Sequence, residues 1–356
     1  MRRSYPLVAL AIGLLVAVAM AELVLRVMGL GFGSSPMEPD PFLHHVHPRN
    51  YTFTAQHPSG ELGGFPVEYD AEGRTVRPKA FGAGVTPPST PCRVALMGDS
   101  FAEAGQVPFP TSFAGLLEQA AGKTCTVRNY GVRSYSPAIY LVQWTRDVRA
   151  WNPSLVFVLV FDNDIREDAD YLTQAIVGPD GWPTAIQGPS GGWLVSQLRR
   201  SYVARFVRMI TERLSWAWAH RGQDQRQIGD LVEENPPLTD LTAGLIRELN
   251  RRIAADRAQM VLMVVPSRYR LLAGGMDKTD DDLHKRVKAW ADAEGVGFLV
   301  LNAPFERAAR AGIPLFFRQD IHFTEEGHAL TAAAIARTFP DLFDGGRGIK
   351  IGRAHV

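Results

Sequence analysis

The chain has 356 residues, and its 38 Lys and Arg against 37 Asp and Glu give a formal net charge of +1. This balance disfavours a nucleic-acid partner held by bulk electrostatics, and the presence of only two cysteines excludes a disulfide-dense scaffold or a multi-cysteine zinc site. With 46% hydrophobic and 21% charged residues, the composition is typical of a globular protein with one large domain or two ordinary ones.

Residues 1–28 have the composition of a cytoplasmic stub followed by a membrane helix. Arg2 and Arg3 precede an apolar run over residues 6–21, which is close to the minimum of about 17 residues that spans a bilayer. Basic residues before such a run place the N-terminus in the cytoplasm. A cleaved signal peptide is the alternative, since residues 19–21 (Ala-Met-Ala) fit a small-x-small site, and a buried core helix is a third. We favour an uncleaved, single-pass anchor in a bacterial inner membrane, with the remaining chain periplasmic or extracellular.

The segments that follow differ in periodicity. Residues 29–90 are interpreted as a linker and irregular preamble, because Gly and Pro are frequent and strand signals are short. Within residues 91–343, short apolar runs alternate with helical stretches. The predicted strands are 93–97, 125–129, 154–161, 260–265 and 297–301, and the predicted helices are 111–121, 137–150, 240–257 and 280–294. This alternation predicts an α/β domain with a parallel sheet covered by helices on both faces.

A helical insertion interrupts this alternation at about residues 171–235. Within it, residues 193–220 carry apolar side chains at helical spacing with arginines between them, which predicts one long amphipathic helix. The helix either packs on the domain or forms a surface against a membrane or partner through Trp193, Trp216 and Trp218.

Three other features are assigned no function. The histidines of segment 42–47 lack a carboxylate or cysteine partner in register, so a loop is favoured over a metal site. His328 occupies a helical position and is interpreted as structural. Residues 344–356 are expected to be a disordered tail, with an artefactual origin as the alternative.

The stretch RVALMGDSFAEAG, residues 93–105, leads a predicted strand into Gly98-Asp99-Ser100. In open parallel sheets, ligands bind beyond the carboxyl ends of the strands, and the N–H groups of a following helix stabilise negative charge there. Taken alone, however, the pattern is more typical of an ordinary N-cap serine.

Three further signals point to acyl-transfer chemistry. Gly131 follows the second strand and lets the backbone approach a bound oxygen closely. Asn163 follows the third strand, where its side chain can donate to an oxyanion. Asp320 and His322 lie two residues apart before a predicted helix, so the carboxylate can orient the imidazole and leave Nε2 free to take a proton from Ser100.

Together these residues supply the parts that acyl transfer requires. The predicted nucleophile, base and orienting acid are Ser100, His322 and Asp320. The predicted oxyanion donors are the backbone N–H groups of Ser100 and Gly131 and the side chain of Asn163. Asp99 and Asp164 are expected to support the site, Asp99 by hydrogen bonding within the serine loop.

In this order, Gly98-Asp99-Ser100, Gly131, Asn163-Asp164 and Asp320-x-His322 resemble the four blocks of the SGNH/GDSL hydrolase superfamily, over about residues 91–340. The resemblance implies a three-layer α/β/α fold with a flavodoxin-like parallel sheet and a Ser-His-Asp triad. The anchor and preamble are similar to the bacterial membrane-anchored subgroup, which grades into alginate-type O-acetyltransferase-like proteins of exopolysaccharide systems.

Two positions depart from the superfamily pattern. The third block usually reads Gly-x-Asn-Asp, and Phe161 occupies its glycine position. The last block usually has Asp three residues before His, whereas Asp320 lies two residues before His322. An Asp-x-His pair also occurs in the alginate acetylation relatives.

A disulfide between Cys92 and Cys125 is predicted from the flavodoxin-like sheet that the resemblance implies. Each cysteine lies six residues before a glycine at a strand end, Gly98 and Gly131 respectively. In that sheet the two strands are neighbours about 4.8 Å apart, within the Cα separation of about 4.4–6.8 Å that disulfides accept. Export would place both cysteines in an oxidising compartment. Two buried free thiols are the alternative.

The leading hypothesis is an exported serine esterase or O-acyltransferase that acts on ester groups, O-acetyl groups above all, of cell-envelope or extracellular polysaccharide through an acyl-serine intermediate. No cofactor and no metal are implied. The expected partners are the acylated carbohydrate or another ester substrate, the membrane through the N-terminal helix, and polysaccharide-biosynthesis proteins. The alternative, suggested by the two departures, is a non-catalytic glycan-binding or assembly component of a membrane complex.

Overall fold

The computed structural model describes residues 5–82, 92–122, 124–189, 193–221, 237–266, 268, 271 and 283–343. It begins with helix α1 (Tyr5–Val27), which is long and apolar enough to cross a membrane and whose apolar side chains are mostly exposed. Gly29 ends this helix with a φ of +69°, a left-handed conformation that glycine adopts without strain, while the Leu30 N–H donates to the Leu25 carbonyl at 2.9 Å.

The preamble forms β-structure, so the prediction of an irregular segment over residues 29–90 was wrong for the part the structure describes. Its strands are β1 (Phe32–Gly33), β2 (Glu38–Asp40), β3 (His44–Val46), β4 (Tyr51–Gln56), β5 (Gly63–Tyr69) and β6 (Thr75–Val76). β1, β4, β5 and β6 make one sheet, which we call the preamble sheet, and β2 pairs with β3. Alternating apolar residues on β4 and β5, among them Tyr51, Phe53 and Tyr69, are buried in a small core of their own.

Among the described residues after the preamble there are seven strands: β7 (Arg93–Gly98), β8 (Thr126–Asn129), β9 (Leu155–Val160), β10 (Ala175–Val177), β11 (Pro183–Ile186), β12 (Gln259–Val264) and β13 (Gly297–Leu299). Five of them form a parallel sheet in the order β13-β12-β9-β7-β8. This is the flavodoxin-like order, and it confirms the predicted fold class. β10 and β11 form a separate antiparallel hairpin.

The helices that the structure describes after the preamble are α2 (Ser100–Glu103), α3 (Phe113–Ala121), α4 (Pro137–Gln143), α5 (Asp164–Leu172), α6 (Trp193–Arg200), α7 (Tyr202–Ala219), α8 (Asp240–Ala255), α9 (Leu283–Glu294), α10 (Asn302–Arg310), α11 (Glu325–Thr338) and α12 (Pro340–Phe343). Two apolar cores cover the two faces of the sheet, one beneath α4, α8 and α9 and the other beneath α3, α10 and α11. Along β9, Val156 and Val158 face the first core whereas Phe157 and Leu159 face the second. The central strand is therefore buried on both sides, as the uninterrupted apolar run predicts.

The predicted helices over 193–220 and 137–150 are both divided. Ser201 begins α7 as its N-cap by accepting from the Ala204 N–H at 3.2 Å, which separates α7 from α6. After α4 the chain continues as a π-helical turn over Trp144–Val148. In α7, the Trp218 side chain is 76% exposed and Trp216 stacks on His220. The side chain of Trp193, residues 222–236 of the insertion and the 344–356 tail lie outside the described residues.

The start of α7 is bound to the end of α1 through Glu22. The Glu22 carboxylate accepts from the Ser201 hydroxyl at 2.8 Å and from the backbone N–H groups of Tyr202 at 3.0 Å and Val203 at 2.9 Å. Arg26 donates to the same carboxylate at 2.7 Å, and its guanidinium lies 5.0 Å from the centre of the Tyr202 ring. α1 is thus joined to the folded domain by side-chain contacts as well as by the chain itself.

A disulfide joins the starts of the two neighbouring strands β7 and β8, as predicted. Cys92 and Cys125 are bonded, with their Cα atoms 4.7 Å apart. Arg93 and Thr126, which follow the two cysteines in sequence, are paired in the parallel register of β7 and β8. The bond therefore links the two strands at the edge of the sheet opposite to the site described below.

Candidate active site

The turn from β7 into α2 places Ser100 at the carboxyl edge of the sheet. Gly98 has a φ of +156°, and a Cβ there would lie 2.7 Å from the Ala102 Cβ and 2.9 Å from the Leu159 carbonyl oxygen. Only glycine fits this turn without displacing its neighbours. Asp99 is the N-cap of α2 and accepts from the Phe101 N–H at 2.9 Å. Ser100 is thus the first residue of a helix whose initial N–H groups have no intrahelical acceptor.

Ser100, His322 and Asp320 form a hydrogen-bonded chain at this edge. The Ser100 hydroxyl lies 2.7 Å from His322 Nε2. On the other side of the ring, His322 Nδ1 makes a short hydrogen bond with Asp320 Oδ1, and the His322 backbone N–H donates to the same oxygen at 2.9 Å. The imidazole is therefore held with Nδ1 toward a carboxylate and Nε2 toward a hydroxyl, the orientation that general-base activation of a serine requires.

Asp320 is ionised over the whole ordinary pH range. Burial raises the pKa of this carboxyl, but the neighbouring His322, through its charge and its two hydrogen bonds, lowers it to about 2. A carboxylate in this state stabilises the imidazolium that forms when His322 takes a proton.

Gly131 provides close packing rather than a free donor. Its N–H donates to the Asn129 Oδ1 at 2.8 Å, so the structure assigns that N–H to an Asn side chain and not to a bound oxygen, which departs from the predicted oxyanion role. The Asn129 amide in turn donates to the Ala102 carbonyl at 2.8 Å. A Cβ at Gly131 would lie 2.4 Å from the backbone N of Glu103. Gly131 and Asn129 therefore join the end of β8 to the helix that carries Ser100.

Asn163, the other predicted oxyanion donor, is half-buried and precedes α5. Its amide hydrogen-bonds the Glu167 carboxylate one turn along the chain, whereas its Oδ1 is buried without a hydrogen-bond partner among the described residues. Within that same part of the chain, neither Asn163 nor Gly131 hydrogen-bonds to Ser100 or His322. One N–H of the Asn163 amide is thus committed to Glu167, and the second is the one that can serve a ligand.

Asp164 belongs to a cluster of buried acids behind the site. Tyr140 donates to its Oδ2 at 3.1 Å, and burial together with the charge of Asp99 raises its pKa well above the ordinary range. Burial raises the pKa of Asp99 to about 6, against the opposing effects of the Phe101 N–H and His322. Burial also raises the pKa of Glu167 to about 7 and that of Asp168 to about 6. Asp164, Glu167 and Asp168 lie on successive turns of α5, whereas Asp99 approaches Asp164 only in the folded chain.

Glu103, three residues after Ser100, is a site residue that the sequence did not reveal. Its side chain is 3% exposed, accepts from the Arg133 N–H at 2.8 Å and makes a short hydrogen bond with the Ser35 hydroxyl. Its carboxylate also lies 3.4 Å from His47 Nε2. The only local signal is an acidic residue on the helix that follows the serine, since Ser35 and His47 come from the preamble.

His328, His45 and His47 have structural surroundings. His328 is buried between the rings of Phe113 and Phe323, and burial lowers its pKa to about 3. His45 Nε2 lies 2.8 Å from the Arg133 carbonyl, and His47 stacks on Tyr69 with ring centres 4.1 Å apart. Contrary to the predicted loop, this segment includes strand β3, and it lies against the core domain.

Comparisons with known proteins point to one family. Residues 227–348, which include Asp320 and His322 but not Ser100, match the model of the SGNH hydrolase-like domain of the acetyltransferase AlgX. No curated protein sequence matches the chain.

Among solved structures, LAE5, an alpha/beta hydrolase enzyme from the metagenome of Lake Arreo in Spain, is 14% identical, with a TM-score of 0.41 over 73% of this chain and 99% of that chain. Axe2, an acetylxylan esterase from Geobacillus stearothermophilus, is 13% identical, with a TM-score of 0.41 over 71% and 94%. A lipolytic G-D-S-L family protein from Desulfitobacterium hafniense DCB-2 is 14% identical, with a TM-score of 0.40 over 69% and 98%. Such scores indicate a loose similarity, from which no activity is transferred. Residues 227–348 are thus similar to the SGNH hydrolase-like domain of AlgX, and the four ordered blocks and the sheet order agree with an SGNH hydrolase-like fold.

Proposed function

We propose that the protein is a serine esterase or O-acyltransferase that acts on O-acetyl groups of cell-envelope or extracellular polysaccharide. The observation that supports this most directly is the hydrogen-bonded chain from the Ser100 hydroxyl through His322 to Asp320 at the carboxyl edge of the parallel sheet. An unaided serine is a weak nucleophile, and a base oriented by a carboxylate is what activates it.

In the proposed mechanism, His322 Nε2 takes the Ser100 proton as Oγ attacks the ester carbonyl carbon. The carbonyl oxygen becomes negative and is stabilised by the Ser100 N–H at the start of α2 and by the second N–H of the Asn163 amide. The C–O bond to the sugar then breaks, and the leaving alkoxide takes the proton from His322. This leaves an acyl group on Ser100 and His322 neutral again.

The second half of the reaction repeats these steps with a new acceptor. Water gives hydrolysis and a sugar hydroxyl gives transfer. In both cases His322 takes the acceptor's proton as the acceptor oxygen attacks the acyl carbon, and returns that proton to Ser100 Oγ as the acyl–Ser100 bond breaks. The outcome depends on whether an acceptor excludes water from the site. The similarity of residues 227–348 to the domain of the acetyltransferase AlgX favours acetyl as the acyl group.

We further propose that the enzyme is held in a bacterial inner membrane by α1, with its catalytic domain in the periplasm or outside the cell and with polysaccharide-biosynthesis proteins as partners. The support is an apolar helix whose side chains the domain does not bury, together with a disulfide of the kind that persists in oxidising compartments.

The proposed function is tested with p-nitrophenyl acetate and Ser100→Ala. Wild type should release nitrophenol, and Ser100→Ala should fall to the uncatalysed rate. Ser154→Ala, which removes an exposed hydroxyl at the start of β9, is the matched control and should leave the rate unchanged. Mass spectrometry of an added oligosaccharide then separates transfer from hydrolysis. Equal turnover by wild type and Ser100→Ala would reject Ser100 as nucleophile, and glycan binding without any turnover would favour the non-catalytic alternative.

A further inference from the structure

The turn between β4 and β5 of the preamble sheet contacts the loop that carries Asp320 and His322. The carboxylate of Glu61, in this turn, accepts from the backbone N–H of Arg318 and from that of Gln319, both at 2.6 Å. Two consecutive N–H groups bound to one carboxylate fix the orientation of both peptide planes. The backbone immediately before Asp320 is thus held by a residue that lies more than 250 positions earlier in the chain, at a separation of 257 from Arg318.

The same loop is held from its other side by the core domain. The guanidinium of Arg268, which follows β12, donates to the Arg318 carbonyl at 2.8 Å. Within the loop, the Phe317 N–H donates to the His322 carbonyl at 3.1 Å. The backbone of Arg318 is therefore hydrogen-bonded at its N–H to Glu61 and at its carbonyl to Arg268.

A second residue of the turn, His57, faces the carboxylate of Asp320. Its Nε2 lies 3.9 Å from Asp320 Oδ2, whereas Oδ1 is occupied by His322. His57 Nδ1 lies 2.7 Å from the Ser59 hydroxyl and 3.3 Å from the Ser59 backbone N, so Ser59 holds the ring with Nε2 toward Asp320. The Asp320 carboxylate thus lies between two imidazoles. Because 3.9 Å exceeds a hydrogen bond, the His57 contact is electrostatic.

The short spacing of the Asp-x-His pair makes this support consequential. Because one residue separates Asp320 from His322, Asp320 Oδ1 accepts from both the ring N–H and the backbone N–H of His322. The orientation of the carboxylate therefore depends closely on the loop backbone. A small rotation of the peptides before Asp320 would move the carboxylate away from His322 Nδ1. A displacement of about 1 Å in a catalytic group can lower a rate by about 100-fold.

We infer that the β4–β5 turn positions the catalytic pair, with Glu61 fixing the loop backbone and His57 facing the second oxygen of Asp320, so that the preamble sheet completes the active site. This inference rests on the proposed function of Ser100, His322 and Asp320. His57 and Glu61 act through Asp320 and are positioning residues.

The test compares Glu61→Ala, Glu61→Gln and His57→Gln in the full chain, with p-nitrophenyl acetate as substrate. Glu61→Ala should lower kcat about 10- to 100-fold with KM changed by less than about twofold, since the geometry of the base changes and substrate contacts do not. Glu61→Gln keeps one acceptor and should recover part of the loss. His57→Gln should lower kcat by less than Glu61→Ala does, because its contact with Asp320 at 3.9 Å is longer than a hydrogen bond. Glu72→Ala, which removes an exposed carboxylate of the same preamble, should leave kcat unchanged.

A readout that does not depend on activity separates this inference from the proposed function. The proton of the His322 Nδ1 hydrogen bond should give a low-field NMR resonance, assigned by its loss in His322→Gln. Glu61→Ala should shift or broaden it, while Glu72→Ala should not. If wild type is inactive but the resonance responds to Glu61→Ala, the positioning inference holds and the proposed function fails. If Glu61→Ala leaves both kcat and the resonance unchanged, the positioning inference is overturned.

Discussion

Glu103 and His47 meet in the interior, with the buried carboxylate 3.4 Å from the imidazole Nε2. Glu103 belongs to the short helix that begins at Ser100, and His47 belongs to the preamble just after β3. The position of the proposed nucleophile is therefore coupled to a segment that precedes the parallel sheet in sequence. Burial raises the pKa of Glu103, but His47, Arg133 and Ser35 together lower it to about 2, so the carboxylate is charged in the folded protein.

The first prediction is that Glu103→Gln destabilises the fold by about 2–3 kcal/mol at pH 7, because the amide presents donors to groups that are themselves donors. The folded pKa of about 2 lies below the ordinary 4.5, so this stabilisation is complete above about pH 4.5 and is lost as the pH falls toward 2. Urea unfolding at pH 7 and pH 3 measures both effects. The difference in the free energy of unfolding between wild type and variant should be smaller at pH 3 than at pH 7. The control is Glu212→Gln, which removes an exposed helical ion pair with Arg208 and should change the free energy of unfolding by less than about 0.5 kcal/mol. An equally stable Glu103→Gln at pH 7 would contradict the prediction.

The second prediction concerns the catalytic pair. His322→Ala should lower ester turnover about 10⁴-fold, as should Ser100→Ala, and the double variant should be no worse than either single one, since the two residues act as a unit. Asp320→Asn should cost less than His322→Ala, because the amide can still orient the ring although it cannot stabilise the imidazolium. Single-turnover kinetics of the four variants measure this order. A larger loss in Asp320→Asn than in His322→Ala would assign Asp320 a role beyond orientation.

The third prediction follows from the acid cluster behind Asn163. The pKa of Glu167 is raised from 4.5 to about 7, chiefly by burial, so the folded state favours the protonated form. Its stabilising contribution is complete below about pH 4.5 and is lost as the pH rises through 7. Glu167→Gln keeps an acceptor for Asn163 and should be more stable than wild type at pH 8, by about 1–2 kcal/mol after allowance for partial exposure.

Urea unfolding of wild type and Glu167→Gln at pH 4.5 and pH 8 measures this difference in stability. The control is Glu306→Gln, which removes an exposed helical ion pair with Arg310. A difference in the free energy of unfolding that is the same at both pH values would show that folding does not raise the pKa of Glu167.

The fourth prediction is that the Cys92→Ala/Cys125→Ala double variant is less stable than wild type by about 3–4 kcal/mol, the loop-closure entropy expected for a bond with a sequence separation of 33. Urea midpoints of the variant and of reduced wild type should agree. Thiol titration of denatured, unreduced protein is the direct check, and two free thiols would exclude the bond.

The parallel sheet and the site blocks could be predicted from sequence, and the preamble sheet could not. β9 and β12 are uninterrupted apolar runs between helical stretches, and their bounds agree with the prediction to within one residue. In the preamble, strands of two or three residues lie among glycines and prolines, and β1 pairs with β4 rather than with its neighbour in sequence. The contact of Glu61 with Arg318 has no local pattern at all, because it depends on how two distant turns meet.

The fifth prediction concerns export. A topology reporter fused after Gly60 should be active only outside the cytoplasm, because basic residues precede the apolar helix. The full chain should stay with the membrane fraction after a high-salt wash. Intact-mass measurement of the mature protein tests retention of α1, and a chain that begins at Glu22 would reject the anchor.

The contacts of Glu22 with the start of α7 have a mechanical consequence. Only four residues separate α1 from β1, and Gly31 among them packs against the Tyr202 ring. If α1 spans a bilayer, the short connection and the Glu22 contacts therefore hold the domain close to the end of the membrane helix. The distance of Ser100 from the lipid surface is then set by the fold, so under the proposed function only ester groups at that distance can reach Ser100.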